Sequence, residues 1–311
     1  MPTVLVTGGL GFIGAEYVNH LFNSLSAPWG VAVLDARGYA ADAERLAPGV
    51  RAAVPVIQCN LSSWSRMLQE FARLDVRQVV HFAAYSHVSA SFLNPLEFSA
   101  DNLLGTHTLL ECCRLHGGMQ RVIVISTDEV YGESAAGPEA RPFTEESGLN
   151  PSNPYAASKA AADLLALSYA KCFKLPVIVT RGNNVIGPRQ HREKLLPSVI
   201  SQLRAGRQVG VEGDGRQLRS FLFVEDAARG IEVVRVSGEV GQVYNVGGDS
   251  EHSVLDVVQA ALDVLRPSER WQDWNEYWRL LALLASLGRR QRRSPVPSRS
   301  RMTRPSPSWE L

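Results

Sequence analysis

The stretch Thr7-Gly-Gly-Leu-Gly-Phe-Ile-Gly14 decides the fold of this 311-residue chain. It follows the β-branched run TVLVT and leads into the amphipathic stretch Ile13–Leu25, so it joins a strand to a helix. Gly8, Gly11 and Gly14 allow a tight turn, a close approach of the backbone to a pyrophosphate, and close packing of helix on strand. The N-terminus of the helix offers N–H donors and the positive end of its dipole to phosphate. The stretch therefore predicts a dinucleotide-binding turn, although an ordinary glycine turn also fits these letters.

Further strands and helices follow from the same alternation. Short β-branched runs predict buried parallel strands, and longer runs with helical spacing of apolar residues predict the helices between them. The predicted strands are Val31–Asp35, Val54–Gln58, Val79–Phe82 and Val122–Ser126, and the predicted helices are Ser65–Leu74 and Pro95–Leu115. Strand–helix alternation of this kind predicts an α/β fold, a Rossmann-like doubly wound parallel sheet.

The rest of the chain predicts a smaller α/β lobe beside this sheet. Pro154 favours a helix start within Pro151–Phe173, and Val177–Thr180 is expected to be a sixth strand. Further predicted elements are the helices Glu193–Ala205, Val224–Val234 and Ser253–Leu265 and strands near Gln208–Val211 and Val243–Val246. We therefore expect a cofactor-binding Rossmann domain at 1–180, an interleaved substrate-binding lobe at 181–275 and a divergent tail at 276–311.

The tail differs from the rest of the chain in charge and composition. Residues Arg279–Leu311 contain eight arginines and one glutamate, a charge of +7, whereas the whole chain carries +1 and residues 1–278 therefore carry −6. Apart from a short Leu-rich stretch at Tyr277–Leu287, the tail is rich in Arg, Ser and Pro, and we expect it to be disordered. The whole chain is 45% hydrophobic and 20% charged, which predicts a globular protein, and its near-zero net charge gives no support for a nucleic-acid partner.

Cysteine spacing and hydropathy favour a cytoplasmic protein. Cys59, Cys112, Cys113 and Cys172 lack C-x-x-C spacing and lie in apolar segments, so we expect buried reduced thiols and neither disulfides nor a metal site. No run approaches the ~18 continuous apolar residues of a membrane helix. The N-terminus enters a strand without a basic and apolar leader, so nothing there predicts secretion or a membrane partner.

Asp35 indicates which dinucleotide the glycine turn binds. It ends the second strand, about 20 residues after the turn, where a carboxylate accepts hydrogen bonds from the adenosine ribose. A 2′-phosphate beside Asp35 would meet like charge, which favours NAD over NADP. Arg37 is the one nearby residue that favours NADP instead.

Tyr155 and Lys159 indicate acid–base chemistry. In a helix, side chains at positions i and i+4 lie on one face. We expect the Lys159 ammonium to stabilise the phenolate of Tyr155 and to lower its pKa toward that of a working base. A Tyr and a Lys on a solvated helix face remain the alternative interpretation.

These motifs together resemble the extended short-chain dehydrogenase/reductase superfamily. The resemblance rests on the glycine turn, Asp35, Tyr155-x-x-x-Lys159, His81-Phe-Ala-Ala84 and Arg181-Gly-Asn-Asn184. Within that superfamily, Ser126-Thr-Asp-Glu-Val-Tyr-Gly132 resembles the nucleotide-sugar 4,6-dehydratases that act on dTDP-glucose and UDP-glucose. The match runs from about Pro2 to about Val264, roughly 85% of the chain.

The resemblance implies a redox-neutral dehydration with recycled NAD. It implies that Tyr155, aided by Thr127, removes the 4-hydroxyl proton while hydride passes from C4 to NAD. Glu129 then removes the C5 proton, Asp128 protonates the departing C6 hydroxyl, and hydride returns to C6 to give a 4-keto-6-deoxy sugar nucleotide. Two adjacent carboxyls in a partly dry site should have pKa values pushed apart. An Asp–Glu pair on an exposed turn is the alternative.

The resemblance also implies the residues of the site and a homodimer built from Pro95–Leu115 and the Tyr155 helix. His87 fits a structural role equally well, and Lys194 and Asn245 also fit ordinary surface positions. The implied catalytic residues are Thr127, Asp128, Glu129, Tyr155 and Lys159; the implied cofactor-binding residues are Gly8, Gly11, Phe12, Ile13, Gly14, Asp35, Asn60, Leu61, Ala83, Ala84, Tyr155 and Lys159; the implied substrate-binding residues are His87, Thr127, Asn184, Lys194, Leu195, Arg219 and Asn245.

Several positions depart from the family pattern. The resemblance leads us to expect Asp at the positions of Asn60, Ser89 and Ser220, and Tyr at that of Ile186. Nothing after Trp274 resembles the family's nucleotide-clamping loop. Two other functions therefore stay open: a sugar epimerase or decarboxylase, which Asp128 and Glu129 argue against, and a catalytically silent NAD-binding protein with a basic interaction tail.

Overall fold

Two β-sheets organise the part of the chain that the structure describes. The structure is a computed structural model, and it describes residues 1–133, 142–211, 213–248 and 251–265. Strands β3-β2-β1-β4-β5-β6-β9 form a parallel sheet in that order, and β10-β8-β7 form a smaller one. The strands are β1 Thr3–Thr7, β2 Gly30–Asp35, β3 Val56–Gln58, β4 Val76–His81, β5 Arg121–Thr127, β6 Val177–Gly182, β7 Asn184–Ile186, β8 Leu218–Phe223, β9 Val243–Val246 and β10 Glu251–Ser253.

Helices connect these strands and cover both faces of the larger sheet. A π-helical turn, Ser99–Leu104, joins two of them without a break, and 3₁₀ turns lie at Ala43–Arg45 and Asp128–Tyr131. The α-helices are α1 Phe12–Ser24, α2 Pro48–Ala53, α3 Trp64–Leu74, α4 Val88–Leu93, α5 Pro95–Phe98, α6 Gly105–His116, α7 Pro154–Phe173, α8 Leu195–Arg204, α9 Val224–Ser237 and α10 Val254–Leu265.

The larger sheet has a hydrophobic core on each face. Side chains alternate along a strand, so Leu5 of β1 packs with α3, α6 and α7, while Val4 and Val6 pack with α1 and α9. Phe71 and Tyr17 are fully buried in the two cores. A parallel sheet buried on both faces is the Rossmann-like arrangement that the alternating sequence predicts, and the predicted fold class is confirmed.

The smaller sheet has its own core and lies where the chain leaves the larger one. β7 follows β6 almost directly and pairs with β8 in parallel, and β10 pairs with β8 antiparallel. α8 and α10 cover this sheet through Leu196, Val199 and Val257. The domain boundary near residue 180 stays a prediction.

Some sequence predictions differ from the structure. Gln208–Val211 is not a strand; Gly206 lies just before it and Gly210 within it, and glycine weakens strand pairing. β9 and α9 belong to the larger sheet and its covering layer rather than to the smaller lobe, because β9 pairs with β6. The sequence analysis did not predict β7, β8 or β10. The predictions for the tail lie outside the described residues.

The burial of the cysteines differs from the prediction at one position. Cys172 is exposed, contrary to the expected burial, because it lies near the end of α7. The other three cysteines are buried, and all four are free.

None of the helices in the described ranges has the length and apolarity of a membrane span.

Candidate active site

Two adjoining cavities lie at the carboxyl end of the larger sheet, between the ends of β1 and β4. This is the point where the strand order reverses, and open α/β sheets bind ligands there. The cofactor cavity is lined by Gly8, Asp35, Asn60, Leu61, Ala83 and Ala84, among others. The catalytic cavity is lined by Gly11, Phe12, Ile13, Gly14, Thr127, Glu129, Tyr155, Lys159, Asn184, Lys194 and Leu195, among others.

The glycine turn between β1 and α1 leaves no room for side chains. Gly8 has φ +68°, and a Cβ there would lie 2.5 Å from the Ala83 nitrogen. A Cβ on Gly14 would lie 2.3 Å from the Gly8 carbonyl oxygen. The bare backbone of the turn therefore forms a wall shared by both cavities, as a bound pyrophosphate requires.

Asp35 is held at the wall of the cofactor cavity by the backbone. Its carboxylate accepts hydrogen bonds from the Leu10 nitrogen at 3.0 Å and the Arg37 nitrogen at 2.7 Å. Each carboxylate oxygen keeps a further lone pair for a ribose hydroxyl. The Arg37 side chain is exposed and does not line the cofactor cavity. The glycine wall and this carboxylate fit NAD, and nothing in the described part of the cavity favours a 2′-phosphate.

Thr127 and Glu129 supply polar groups to the catalytic cavity, with Asp128 between them in the sequence. Thr127 ends the strand, and Asp128 and Glu129 begin the 3₁₀ turn. The Thr127 hydroxyl donates to Asp128 Oδ1 at 3.2 Å and accepts from the Glu129 nitrogen at 3.3 Å. Thr127 and Glu129 line the cavity, whereas Asp128 does not line it and is turned toward Asn183.

The two carboxyls have different hydrogen-bond partners, and the pKa of each is raised. Asp128 Oδ2 accepts from the Asn183 amide at 2.8 Å, and Glu129 Oε2 accepts from the Asn153 amide at 3.0 Å. Burial raises the pKa of both carboxyls, and the Asp128 charge adds to the rise at Glu129. Both pKa values rise, so the two carboxyls differ in their hydrogen-bond partners and not in the direction of their pKa shifts.

Tyr155 and Lys159 lie on the first turns of α7 and are both almost fully buried. The Lys159 ammonium donates to the Ile125 carbonyl at 2.8 Å. Burial and the Glu129 charge raise the pKa of the Tyr155 phenol, and burial lowers the pKa of Lys159. The prediction of a lowered phenol pKa is wrong for this arrangement, because burial and the nearby carboxylates outweigh the hydrogen bond with Thr127, and the Lys159 ammonium is directed at the Ile125 carbonyl.

The predicted substrate-binding residues divide into two groups. Asn184, Lys194 and Leu195 line the catalytic cavity, and the Lys194 ammonium donates to the Ser86 carbonyl at 2.8 Å. His87, Arg219 and Asn245 are not among the residues that line it.

Each residue of the second group has another environment. His87 caps α4 by accepting from the Ala90 nitrogen at 3.0 Å, which agrees with the structural interpretation. Asn245 accepts from the Tyr131 hydroxyl at 2.7 Å. The exposed Arg219 lies close enough for its charge to lower the pKa of both carboxyls.

The sequence analysis missed two amides that contact the carboxyls. Asn153 precedes a proline at a helix start, which is a recognisable capping position. Asn183 lies inside the Arg181-Gly-Asn-Asn184 motif, next to Asn184, which is a predicted substrate-binding residue. Neither pattern indicates a contact with Asp128 or Glu129, because these contacts join segments distant in the sequence.

The fold, the glycine wall and the carboxylate of Asp35 define a dinucleotide-binding protein of the Rossmann type. The chain belongs to the NAD dependent epimerase/dehydratase family, which matches residues 4–247. The family resemblance and NAD as cofactor, both predicted from the sequence, are thereby confirmed.

Curated relatives include enzymes named for two nucleotide sugars. A trifunctional UDP-glucose 4,6-dehydratase/UDP-4-keto-6-deoxy-D-glucose 3,5-epimerase/UDP-4-keto-L-rhamnose-reductase of Arabidopsis thaliana is 40% identical over 257 residues, which are 82% of this chain and 38% of that protein. The chain thus spans well under half of this relative. A dTDP-D-glucose 4,6-dehydratase of Mus musculus is 36% identical over 280 residues, covering 87% of this chain and 77% of the relative.

Solved structures show the same architecture. The dTDP-glucose 4,6-dehydratase DesIV of Streptomyces venezuelae, crystallised with NAD, has a TM-score of 0.79 and 36% identity, covering 88% of this chain and 83% of that chain. A UDP-glucose 4-epimerase of Thermus thermophilus in complex with NAD has a TM-score of 0.75 and 30% identity, covering 84% and 83%. Dehydratases and epimerases share this fold, so the choice between them depends on the site residues.

Proposed function

We propose that the protein is a nucleotide-sugar 4,6-dehydratase that converts dTDP-glucose to its 4-keto-6-deoxy derivative. The observation that carries the proposal is the Thr127-Asp128-Glu129 sequence at the end of β5, beside Tyr155 and the glycine turn. Oxidation at C4 needs a base for a hydroxyl proton, and elimination across C5 and C6 needs a second base and an acid. This site has a phenol and two carboxyls, enough for all three roles.

The first role belongs to Tyr155. Bound NAD supplies the hydride acceptor for C4 and later the hydride donor for C6. Tyr155 takes the 4-hydroxyl proton, and Thr127 donates a hydrogen bond to the same oxygen. Burial raises the pKa of this phenol, so we assign Lys159, one turn further along the same helix, to stabilise the phenolate that forms.

The two carboxyls carry out the elimination. The 4-ketone acidifies the C5 hydrogen, and Glu129, which lines the catalytic cavity, removes that proton. Asp128 gives a proton to the departing C6 hydroxyl, which leaves as water, and the proton held by Glu129 goes back to C5 as hydride returns to C6. Burial raises the pKa of both groups, so an acid form of Asp128 is less costly near neutral pH than it would be in water.

The sugar diphosphate would lie near the positive groups beside the carboxyls. We assign Asn184 and Lys194 to this part of the substrate, with Arg219 at its outer edge. Relatives named for UDP-glucose and for dTDP-glucose are both similar to this chain, so UDP-glucose is the alternative substrate.

One experiment separates the candidate functions. The full chain is incubated with dTDP-glucose and, separately, with UDP-glucose, and the alkali-induced absorbance of a 4-keto sugar is recorded. The dehydratase yields this absorbance with one or both substrates. An epimerase yields a 4-epimeric sugar without it, and a catalytically silent NAD-binding protein with a basic tail yields neither product. Either of these last results overturns the proposal.

We also propose a cytoplasmic homodimer. None of the four cysteines is paired in a disulfide in the structure, which supports the location. Exposed leucines on the helices from α5 to α7 support the dimer.

A further inference from the structure

The side-chain amide of Asn153 has one partner at each end. Its oxygen accepts a hydrogen bond from the Ala156 nitrogen at 2.8 Å and so caps α7. Its nitrogen donates to Glu129 Oε2 at 3.0 Å. One side chain therefore joins the start of the Tyr155 helix to a carboxylate of the 3₁₀ turn.

The backbone around Asn153 is held against the same turn. The Asn150 nitrogen donates to the Val130 carbonyl at 3.0 Å. Gly132, with φ +87°, lies so close that a Cβ there would be 2.2 Å from the Asn150 carbonyl oxygen. The distance between Asn153 and Glu129 is therefore set by packed backbone on both sides.

Glu129 lies in a mixed electrostatic environment. Asp128 on its own turn raises its pKa, and Lys194 before α8 and Arg219 on β8 lower it. Tyr155 on α7 is a further titratable neighbour, and the Glu129 charge raises the pKa of its phenol in turn. Burial is the largest influence and raises the pKa of Glu129, while the hydrogen bond from Asn153 opposes that rise.

We propose that Asn153 is a positioning residue that holds Glu129 ionised and at a fixed place relative to Tyr155. This inference rests on the proposed function, in which Glu129 is the base at C5. Tyr155 lies two residues after Asn153 on the same helix, so one amide sets the spacing between the two bases. The Glu129 oxygen that Asn153 does not contact remains for the substrate.

Two substitutions separate this role from helix capping. Asn153→Ser and Asn153→Asp both retain a good N-cap oxygen. Serine is too short to reach Glu129, and the Asp carboxylate has no amide N–H and adds a negative charge. We expect a turnover near neutral pH lower by about tenfold or more, with the acidic limb of the kcat profile moved to higher pH and a larger effect for Asp. NAD content and Tm stay near those of the wild type.

Asn94 provides a matched control. It also precedes a proline at a helix start, but its side chain is exposed and caps nothing in α5. Asn94→Ser and Asn94→Asp should keep the wild-type pH profile. If both Asn153 variants also keep it, Asn153 is only a cap and the inference is overturned.

A second readout does not depend on activity. In full-length protein with ¹³C-labelled glutamate carboxyls, the resonance absent from Glu129→Gln belongs to Glu129, and its titration midpoint should rise in Asn153→Ser. An unchanged titration midpoint of Glu129 in Asn153→Ser overturns the inference. This holds even if that variant is less stable than the wild type. If the wild type makes no 4-keto sugar but the midpoint rises, the proposed function fails while the contact between Asn153 and Glu129 stands.

Discussion

Asp128 and Glu129 are adjacent in sequence, yet each carboxyl is held by an amide from a different part of the chain. Replacing either carboxyl by its amide, Asp128→Asn or Glu129→Gln, keeps the shape and removes the acid–base function. We expect each change to lower turnover by about 10²-fold or more, as is common when a general acid or base is lost.

The binding of NAD provides the control for these two variants. The cofactor cavity does not include Asp128 or Glu129, so NAD content should match that of the wild type. Turnover that is unchanged in both variants would exclude the elimination mechanism.

Much of the site follows from the sequence because motif residues lie close together along the chain. The glycine turn and Asp35 predict a wall of bare backbone and a carboxylate beside it, and the structure places both at the cofactor cavity. The direction of the Tyr155 pKa shift could not be predicted, because it depends on desolvation by the surrounding fold. The contact of Asn153 with Glu129 also depends on the fold, which brings the two segments together.

At the level of elements, His81 ties three of them together. Its Nδ1 lies 2.7 Å from the Thr7 hydroxyl of β1, and its Nε2 lies 2.9 Å from the Thr106 hydroxyl of α6. The Thr106 hydroxyl already donates to the Asn102 carbonyl, so Nε2 carries the proton and Nδ1 accepts from Thr7. His81 is thus a neutral, fully satisfied link between β1, β4 and α6.

Burial, with a smaller contribution from the Lys159 charge, lowers the pKa of His81 from 6.5 to about 3. Between these values the unfolded chain binds a proton that the folded protein does not, so the free energy of unfolding falls as the pH drops from 6.5 toward 3. This group alone contributes about 1.4 kcal/mol per pH unit. His81→Asn should be less stable near pH 7 and should show a shallower decline in urea unfolding. Equal slopes in the variant and the wild type would refute the assignment.

The longest elements were predicted well and the short ones poorly. α7 and the strands of the larger sheet have strong periodicity, whereas β7 and β10 have three residues each, too few to show a pattern. In place of the predicted single helix Pro95–Leu115, α5 and α6 are joined without a break by the π turn Ser99–Leu104. This segment packs against α7, a contact that apolar spacing does not show.

At the scale of the whole molecule, a redox-neutral reaction predicts a retained cofactor. Release of the reduced cofactor before hydride returns to C6 would strand the intermediate. Purified protein should therefore give up NAD on denaturation, without any added beforehand, in an amount close to one per chain. Recovery of NADP instead would contradict the role of Asp35.

The predicted dimer has its own test. Leu104 is 58% exposed and Leu164 is 61% exposed, on the π turn and on α7. A wild-type dimer at micromolar concentration should become a monomer in Leu164→Glu by light scattering, because a charge replaces apolar surface. Val233→Glu alters a residue on α9 that is 64% exposed and should leave the dimer intact. A monomeric wild type would refute the prediction.

The position of β9 in the larger sheet has a consequence for synthesis on the ribosome. β6 ends at Gly182, but the strand that covers its outer edge is Val243–Val246. At roughly 5–20 residues per second, the nascent chain carries an open, hydrophobic strand edge for roughly 3 to 12 s. During that interval the edge is able to pair with another chain. A chain truncated before residue 243 would keep this edge open permanently, so its yield would be limited by aggregation even though every residue of the glycine turn and the acid–base group is present.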